Sequence, residues 1–573
     1  MRAAILFAVW LWLAATAAAQ PPAPEAATGF SPRPAVCASN AMVVTAHPLA
    51  TDAALAVLGE GGSAADAAIA AALVLNVVEP QSSGIGGGGF LLHYDAAAQR
   101  LAAWDGRESA PAAVEADWFL DEAGRPLHFF DAVVGGRAVG VPGLPRLLEA
   151  AHRRHGVLPL ARLFAPAIAL AREGFAVSPR LHAHIARDRF LRADPAARLL
   201  FFDGGGAPLA VGATLRNPAL AATLELLARD GAEVFYRGEV ARDLVAAVAR
   251  APAPGALTLD DLRTYEVVER PALCGPYRAW RVCGMPPPSA GGASVLALLG
   301  VLQRFDLPAI APDSAFAAHL FAEAGRLAYA DREAWYGDPA EMTLAPAQLL
   351  APRYLAHRAA LIALDGSMGT APAGVPDPAV AAVAASSPEL PATTHISVVD
   401  AGGNAVSLTA SIENAFGSRR MVRGFLLNNQ LTDFSFVPGG EHGAHPNRAG
   451  PRKRPLSSMA PTLVFAPDGR LHAVLGSPGG SAIINYVAAA LVGVLDWGLA
   501  PDAALARPHA GSRNGPTEVE DNAAGRALAG RLALFGHRPQ LRDLTSGTSL
   551  IVREAGGWAG AADPRREGSA AGY

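Results

Sequence analysis

Hydrophobic and polar positions divide the chain into a helix-rich first part and a strand-rich last part. Amphipathic or alanine-rich periodicity predicts helices at 53–76, 160–172, 219–229 and 239–250. Period-two alternation predicts strands at 90–94, 101–104, 393–399, 405–411, 424–427, 462–465 and 471–475. Gly59, Gly61 and Gly62 interrupt the first helical stretch. The two periodicities together predict a mixed α and β protein.

A stretch with neither periodicity lies between these two parts. Residues 366–390 are small and rich in proline, glycine and alanine. This composition is typical of a flexible linker whose ends can separate after a cut. A second polar, glycine-rich loop at 438–451 contains His442 and His445, which are predicted to be exposed.

The strand that follows the linker begins with Thr393. A threonine hydroxyl is a poor nucleophile unless a base lies beside it, and a free α-amine, which titrates near neutrality, can be that base. Thr393 acquires a free α-amine only when the Ala392–Thr393 bond is cut. The segment therefore suggests a precursor that cleaves itself there and becomes an N-terminal-threonine amidohydrolase. Taken alone, it is also compatible with an ordinary strand start.

Phrases spread along the chain resemble the γ-glutamyltranspeptidase family, in that family's order. They are GGGGF at 86–90, RE at 107–108, MPPPS at 285–289, TTH at 393–395, LLNNQ at 426–430, KRPLSSM at 453–459 and GSPGGS at 476–481. The resemblance covers nearly everything after the first three dozen residues. It implies an α+β fold, a four-layer αββα sandwich of the N-terminal nucleophile hydrolase type. Two autoproteolytic fragments, 20–392 (large) and 393–573 (small, catalytic), would build it jointly.

The resemblance also assigns catalytic roles. Thr393 matches the nucleophile, and Ser411 matches a position where the family commonly has threonine, a hydroxyl that supports the nucleophile. Gly479 and Gly480 match the backbone donors of an oxyanion hole, which glycines before a helix suit because their N–H groups have little steric cover. Many members have arginine where this chain has Ala482, so local support of that loop is expected to differ.

The family pattern places an amino acid head group between opposite charges. Arg107 would bind the substrate carboxylate in a bidentate fork, and Asp433 would bind the α-ammonium. Four further residues complete the set: Ser457 and Ser458 for the carboxylate, and Glu413 and Gln430 for the ammonium. The loop 438–451 is shorter than in lidded members and has no aromatic residue, which suggests a more open site for bulkier γ-glutamyl compounds.

Composition and charge limit the class of protein and the partners and cofactors that are expected. Hydrophobic residues make up 51% of the 573 residues and charged residues 17%, which is typical of a well-packed globular protein. The net charge is −4 and the basic residues are scattered, so no nucleic-acid partner is expected. No metal or other cofactor is expected, because neither a His-Glu-x-x-His nor a paired-cysteine pattern occurs. Cys274 and Cys283 flank a predicted hairpin turn, and both a bridge and two separate thiols remain open.

The first residues have the pattern of an export signal. Arg2 precedes an apolar stretch that is too short to span a membrane, and an Ala-x-Ala-like site follows it. Residues 1–19 are therefore predicted to be removed, leaving a periplasmic or secreted protein without a stable membrane anchor.

The combined prediction is an exported, self-cleaving γ-glutamyltransferase and glutathione hydrolase. Thr393 would take the γ-glutamyl group from glutathione or a related compound and pass it to water, an amino acid or a peptide. The mature protein would be a heterodimer of its own two fragments. One alternative is a glutaryl or cephalosporin-type acylase of the same superfamily. Another is a secreted binding protein that is never cleaved.

Overall fold

The computed structural model describes residues 29–377, 382–383, 392–440 and 443–573. The predicted export signal, most of 378–391 and His442 lie outside them. The α-helices are α1 Pro48–Gly59, α2 Ala64–Val78, α3 Phe129–Val133, α4 Leu144–His155, α5 Leu160–Glu173, α6 Pro179–Arg187, α7 Pro195–Phe201, α8 Pro218–Asp230, α9 Glu233–Tyr236, α10 Glu239–Val248, α11 Leu259–Arg263, α12 Gly291–Leu302, α13 Ala315–Trp335, α14 Pro346–Leu349, α15 Pro352–Ala359, α16 Ile483–Leu495, α17 Pro501–Ala506 and α18 Ala523–Leu532. Among the described residues, no helix has the length and apolar character that a membrane crossing requires.

The strands are short, as alternating segments between turns predict. They are β1 Val36–Ala38, β2 Met42–Thr45, β3 Gly88–Asp95, β4 Arg100–Gly106, β5 Phe175–Ala176, β6 Thr214–Leu215, β7 Val268–Arg270, β8 Leu273–Tyr277, β9 Trp280–Gly284, β10 Thr393–Val399, β11 Ala405–Ser411, β12 Met421–Val422, β13 Phe425–Leu426, β14 Gly439–Gly440, β15 Gly443–Ala444, β16 Thr462–Phe465, β17 Leu471–Gly476, β18 Ala510–Ser512, β19 Thr517–Glu520, β20 Pro539–Arg542, β21 Ser549–Glu554, β22 Gly557–Ala562 and β23 Ser569–Gly572. The predicted strand 424–427 is shorter than expected, because it forms only a two-residue ladder with Met421–Val422.

Two seven-stranded antiparallel sheets form the centre of the molecule. Their strand orders are β1-β22-β21-β17-β16-β9-β8 and β23-β2-β10-β11-β3-β4-β7. Side chains from the facing sides of the two sheets share one hydrophobic cluster, in which Phe90 and Leu92 of one sheet lie with Val474 and its cross-strand partner Ile551 of the other. Each sheet takes strands from both sides of residue 392, so the two parts of the chain build one core.

Helices cover the outer faces of both sheets. One cluster joins α1, α2, α4, α5 and α8 to the sheet that contains β10 and β11. The other cluster joins α12, α13 and α16 to the sheet that contains β16 and β17. The order helix, sheet, sheet, helix confirms the predicted four-layer αββα sandwich.

The alanine-rich stretch near the start forms two helices, and its glycines explain the break. Gly61 has φ of 87°, a backbone conformation that favours glycine, and a Cβ at Gly62 would lie 2.7 Å from Val57. Ser63 then starts α2 with a capping box to Asp66. Every residue of α2 is buried, since its small side chains allow close packing against β10 and β11.

A disulfide joins Cys274 and Cys283, which face each other on the adjacent strands β8 and β9. The hairpin prediction is therefore confirmed, and the structure shows the bridged form of the two alternatives. A bridge at this position links neighbouring strands of one sheet edge.

The prediction of a flexible linker from 366 onward is wrong for its first part. The segment has no helix or strand, but Met368 N–H donates to Glu323 at 2.8 Å, and Gly374 N–H donates to Asp331 at 2.7 Å. Both carboxylates belong to α13. Long-range hydrogen bonds of this kind hold an irregular segment in place, and composition does not reveal them. The remainder, from 378, falls largely outside the described residues.

His395 lies between the two sheets and makes folding stability sensitive to acid. Its ring contacts Thr409 at 2.8 Å within the sheet and packs on Gly476 of the opposite sheet, where a Cβ would lie 2.2 Å from the ring. Burial lowers the pKa of His395 to about 3. The unfolded chain therefore binds one more proton than the folded chain between pH 6.5 and about 3, and stability falls as pH drops through that window.

We expect His395→Gln to flatten that pH dependence. The loss for one such histidine approaches about 1.4 kcal/mol per pH unit. Denaturant unfolding at a series of pH values between 4 and 7 measures this slope in both proteins. Identical slopes for the variant and the parent chain would contradict the assignment, whatever the variant's absolute stability.

Candidate active site

A small cavity opens where β10 begins and β11 ends. Its lining consists of Arg107, Thr393, Ser411, Glu413, Gln430, Asp433, Ser457, Ser458, Met459, Gly480 and Ile483. Every predicted catalytic and substrate-binding residue lines this cavity except Gly479, which precedes Gly480 in the adjoining loop; Ala392, on the other side of the predicted cleavage site, is not in the lining. The fold therefore gathers residues from distant parts of the chain around Thr393.

Thr393 and Ser411 are cross-strand partners, and their hydroxyl oxygens lie 3.1 Å apart. The Ser411 hydroxyl donates to the carbonyl of Ala392 at 2.7 Å and accepts from the N–H of Glu413 at 2.9 Å. A hydroxyl has only one hydrogen, so Thr393 is the donor in its contact with Ser411. Ser411 thus polarises the Ala392 carbonyl and also accepts the hydroxyl hydrogen of Thr393.

Arg107 and Asp433 form a buried ion pair in the cavity, with Nη2 to Oδ2 at 2.5 Å. Arg107 lies just after β4, and its Nε and Nη2 also donate to the carbonyls of Pro455 and Leu456. The structure therefore brings together the two residues predicted to bind opposite charges of the substrate. In this pair the two charges neutralise each other.

The ammonium-binding candidates are held by amide side chains. Gln430 donates to Asp433 at 2.8 Å, and Asn429 donates to Glu413. Asn447 donates to the carbonyl of Asp433 at 2.7 Å. Sequence reasoning missed the roles of Asn429 and Asn447, although Asn429 stands within a matching phrase. The carboxylates of Asp433 and Glu413 are thereby fixed before any substrate arrives.

Ser457 and Ser458 approach the cavity on a segment that the distant Ser289 holds. The Ser289 hydroxyl donates to the carbonyl of Met459 at 2.6 Å and accepts from Gly291 N–H at 3.0 Å. The Ser458 hydroxyl is buried and has no hydrogen-bond partner among the described residues. A buried hydroxyl without a partner is costly, so it marks a point where a substrate oxygen can bind.

The glycine pair 479–480 lies in the loop between β17 and α16. Gly479 has φ of 139° and Gly480 has φ of 56°, values that favour glycine. A Cβ at Gly479 would also lie 2.6 Å from the ring of Tyr486. Neither glycine N–H donates a hydrogen bond to any residue that the structure describes. Both donors are therefore available for an oxygen in the cavity.

Two buried glutamates beside the site have raised pKa values. Burial raises the pKa of Glu108 to about 8, against the opposing effect of Arg107. Burial also raises the pKa of Glu79, which accepts from the Thr394 hydroxyl at 3.1 Å, to about 7. Glu108 is therefore mostly protonated at neutral pH, and the Arg107–Asp433 pair remains close to neutral overall.

The glycine run 86–89 packs against the backbone behind the site. A Cβ at Gly86 would lie 2.2 Å from the carbonyl oxygen of Leu426, and one at Gly87 would lie 2.1 Å from that of Ser411. These contacts leave no room for a side chain. They bring β3 against the end of β11, next to Thr393.

The prediction that His445 is exposed is wrong. Its Nε2 contacts the carbonyl of Glu333 at 2.8 Å, and the ring is buried. Asn447 N–H donates to its Nδ1 at 3.0 Å. Among the described residues of 438–451, Gly440, Gly443, Ala444 and Pro451 are exposed, and none of the described residues of this loop lines the cavity. The base of the loop is thus fixed beside the site rather than folded across it.

Three buried side chains elsewhere have metal-ligand spacing that the sequence did not suggest. The ligand atoms of His319, Glu323 and His537 lie within 4.8 Å of one another. The two histidines contact each other at 2.8 Å, and Glu323 accepts from Arg326 at 2.9 Å and from Ser367 at 2.8 Å. These contacts account for the cluster as a hydrogen-bonded network that joins α13 to the segment before 377.

Comparison with known proteins agrees with this geometry. The family model for γ-glutamyltranspeptidase matches residues 50–573. The glutathione hydrolase proenzyme of Bacillus subtilis (strain 168) is 36% identical over 545 residues, which cover 93% of this chain and 91% of that protein. The acylase ACY 1 proenzyme of Pseudomonas sp. (strain V22) is also 36% identical, over 90% of each chain.

A solved structure gives the same result for the fold. The cephalosporin acylase from Bacillus halodurans has a TM-score of 0.84 at 29% identity, covering 96% of this chain and 99% of that one. The αββα sandwich is therefore of the N-terminal nucleophile hydrolase type. From the family match and the coverage of its relatives, this chain belongs to the γ-glutamyltranspeptidase family.

Proposed function

We propose that this protein is a self-cleaving γ-glutamyltransferase and glutathione hydrolase. The observation that carries the proposal is the buried Arg107–Asp433 pair in the cavity that contains Thr393. A γ-glutamyl group ends in a zwitterion with one carboxylate and one ammonium. Such a head group can exchange for the internal pair, since each charge finds an opposite partner and none is buried alone.

Maturation begins at the Ala392–Thr393 bond. Thr393 Oγ1 attacks the Ala392 carbonyl carbon as its proton passes to Ser411 Oγ, and Ser411 gives its own hydroxyl proton to the Ala392 oxygen that it already contacts. The C–N bond then breaks as the nitrogen takes that proton and the carbonyl re-forms, which leaves an ester on Oγ1 and a free α-amine. Water hydrolyses the ester and releases Ala392 as a carboxylate.

In the mature enzyme the α-amine of Thr393 takes the hydroxyl proton as Oγ1 attacks the γ-carbonyl of the donor. The N–H groups of Gly479 and Gly480 stabilise the tetrahedral oxyanion. Collapse expels the donor's amine, which gains a proton, and leaves a γ-glutamyl ester on Thr393. Water or the amino group of an amino acid or peptide then resolves this ester.

A glutaryl or cephalosporin-type acylase is the second candidate, favoured by the similarity to the two acylases. A glutaryl group has the distal carboxylate but lacks the ammonium. It would occupy Arg107 and leave Asp433 buried without its counter-charge, which is costly. The fixed positions of Asp433, Gln430 and Glu413 therefore favour a γ-glutamyl substrate over a glutaryl one.

The proposed protein is exported and works as a heterodimer. Residues 1–19 are the signal, 20–392 the large fragment and 393–573 the small fragment. The disulfide between Cys274 and Cys283 supports an oxidising compartment such as the periplasm or the exterior. Because both sheets use strands from both fragments, the fragments stay together after the cut.

Intact mass and N-terminal sequencing of the purified protein test this proposal first. We expect two fragments, the smaller beginning Thr393-Thr394-His395, and release of p-nitroaniline from γ-glutamyl-p-nitroanilide faster than from glutaryl-p-nitroanilide. A single uncleaved chain would support the binding-protein alternative. A cleaved protein that prefers the glutaryl compound would support the acylase.

The position of the loop 438–451 supports an open donor site. We expect kcat/KM for a γ-glutamyl donor with a bulky peptide leaving group to lie within about tenfold of that for glutathione, since a gap of tenfold corresponds to about 1.4 kcal/mol. Steady-state assays with both donors measure this ratio. A preference for glutathione of a hundredfold or more would contradict an open site.

A further inference from the structure

Ser481 directly follows the glycine pair, and two distant side chains hold both of its polar groups. Arg513 Nη1 donates to the Ser481 hydroxyl oxygen at 2.8 Å, and the Tyr329 hydroxyl donates to the Ser481 carbonyl. All three side chains are buried or nearly so. The residue after Gly480 is therefore fixed from outside its own loop.

Arg513 is itself held in one orientation. Its Nε and Nη2 donate to the two carboxylate oxygens of Glu518 at 2.9 and 2.7 Å. A bidentate pair of this kind fixes the plane of the guanidinium. In this orientation Nη1 points toward Ser481.

The loop that carries Arg513, residues 513–516, is anchored on the large-fragment side of the chain. Arg326 of α13 donates to the carbonyl of Gly515 and to the Thr517 hydroxyl, the latter at 2.8 Å. Asn514 exchanges two hydrogen bonds with Ala371, at 2.7 and 2.9 Å. Tyr329 lies one helical turn from Arg326, so α13 supports both donors to Ser481.

We propose that Arg513 is a positioning residue for the oxyanion hole. Its hydrogen bond to Ser481 keeps the N–H groups of Gly479 and Gly480 aimed at the cavity. The adjacent Ala482 packs against Tyr486 and Leu544, but its methyl group cannot form a hydrogen bond. The hydrogen bond that holds this part of the loop, here called the brace, comes from Arg513 across the fold. Hydrogen-bond donors stabilise an oxyanion most when they already point at it and need not reorganise during the reaction. The hydrogen bond from Arg513 to Ser481 keeps them in that arrangement. This inference rests on the proposed function of the glycine pair.

The kinetic test uses Arg513→Met, Ser481→Ala and the double variant, assayed with γ-glutamyl-p-nitroanilide. We expect each single change to lower kcat about tenfold or more, while KM changes less than about threefold, because Arg107 and Asp433 are untouched. The double variant should lose little more than the worse single variant, since both remove one contact. Arg513→Lys, which retains a donor, should recover part of kcat.

Hydrogen exchange of the backbone in peptide 477–483 gives a readout that needs no turnover. We expect faster exchange there in Arg513→Met and in Ser481→Ala, and unchanged exchange in Glu413→Gln as a matched control near the site. Ser481→Ala alters no charge, so it stands in if Arg513→Met fails to fold or cleave. The positioning role of Arg513 would be contradicted if the losses in kcat of the two single variants added up in the double variant. It would also be contradicted if hydrogen exchange at 477–483 were unchanged in both single variants.

The two proposals fail in different ways. If the parent protein turns over neither anilide, the proposed function fails, and the exchange data still decide whether Arg513 holds the loop. If the parent is active and Arg513→Met retains full kcat, the brace fails and the proposed function stands.

Discussion

Replacing Thr393 with alanine is expected to leave the protein as one uncleaved chain with no measurable γ-glutamyl transfer. The change removes the attacking oxygen for both maturation and turnover, and losing a nucleophile typically costs about 10⁴-fold or more in kcat. Among the described residues, the Thr393 hydroxyl makes one hydrogen bond, to Ser411 at 3.1 Å, so the fold should persist without it. Intact mass gives the cleavage state, and p-nitroaniline release gives the rate.

Two further substitutions, one at Thr393 and one at the adjacent Thr394, test whether Thr393 is the nucleophile. Thr393→Ser retains a hydroxyl and should still cleave and turn over, at a reduced rate. Thr394→Ala removes the contact with Glu79 but leaves the nucleophile, so its small fragment should still begin at Thr393. A cleaved Thr393→Ala protein, or a small fragment that begins at residue 394 in the parent, would show that the nucleophile is another residue.

Replacing Asp433 with asparagine is expected to remove the preference for γ-glutamyl over glutaryl donors. The substrate ammonium would lose its buried counter-charge, and breaking a buried charge pair of this kind costs about 2–5 kcal/mol. We therefore expect kcat/KM for γ-glutamyl-p-nitroanilide to fall about 100-fold or more. The glutaryl compound should lose much less, because Arg107 becomes available to its carboxylate.

Asparagine is the suitable replacement because its side-chain oxygen can still accept from Gln430, which donates to Asp433 at 2.8 Å. Glu413→Gln is the matched control, since it removes a second carboxylate in the same cavity but leaves the Arg107–Asp433 pair intact. Equal losses for both anilides in Asp433→Asn would mean that Asp433 acts by holding Arg107 rather than by recognising the ammonium. Selectivity would then have another origin.

Local patterns determined much of the secondary structure. The strands β10, β11 and β16 have the predicted bounds, because period-two alternation and the turn at 400–404 define strands without reference to the rest of the chain. The break between α1 and α2 follows from glycines alone. The helix predicted to end at 250 ends at Val248. Pro252 follows shortly after it, and a proline disfavours the helical conformation in the residue before it.

The short sequence motifs shared with the γ-glutamyltranspeptidase family also predicted which residues lie together at the site. The predicted catalytic and substrate-binding residues, except Gly479, line one cavity, although Arg107 and Asp433 are 326 positions apart. The motifs identify these residues but do not show which of them contact each other. The pairing of Arg107 with Asp433 was therefore not predicted, nor were the supports from Asn429 and Asn447.

The sequence by itself determined several helices and strands and the set of candidate residues, because periodicity and motifs are local properties of the chain. Its resemblance to a known family implied the αββα fold. Only the tertiary structure decided that Gly374 and Met368 are tied to α13, that His445 is buried and that Arg513 reaches Ser481. These contacts join segments that are far apart in sequence. Periodicity shows which face of an element is buried, but the packing of the layers decides which distant side chain lies against it.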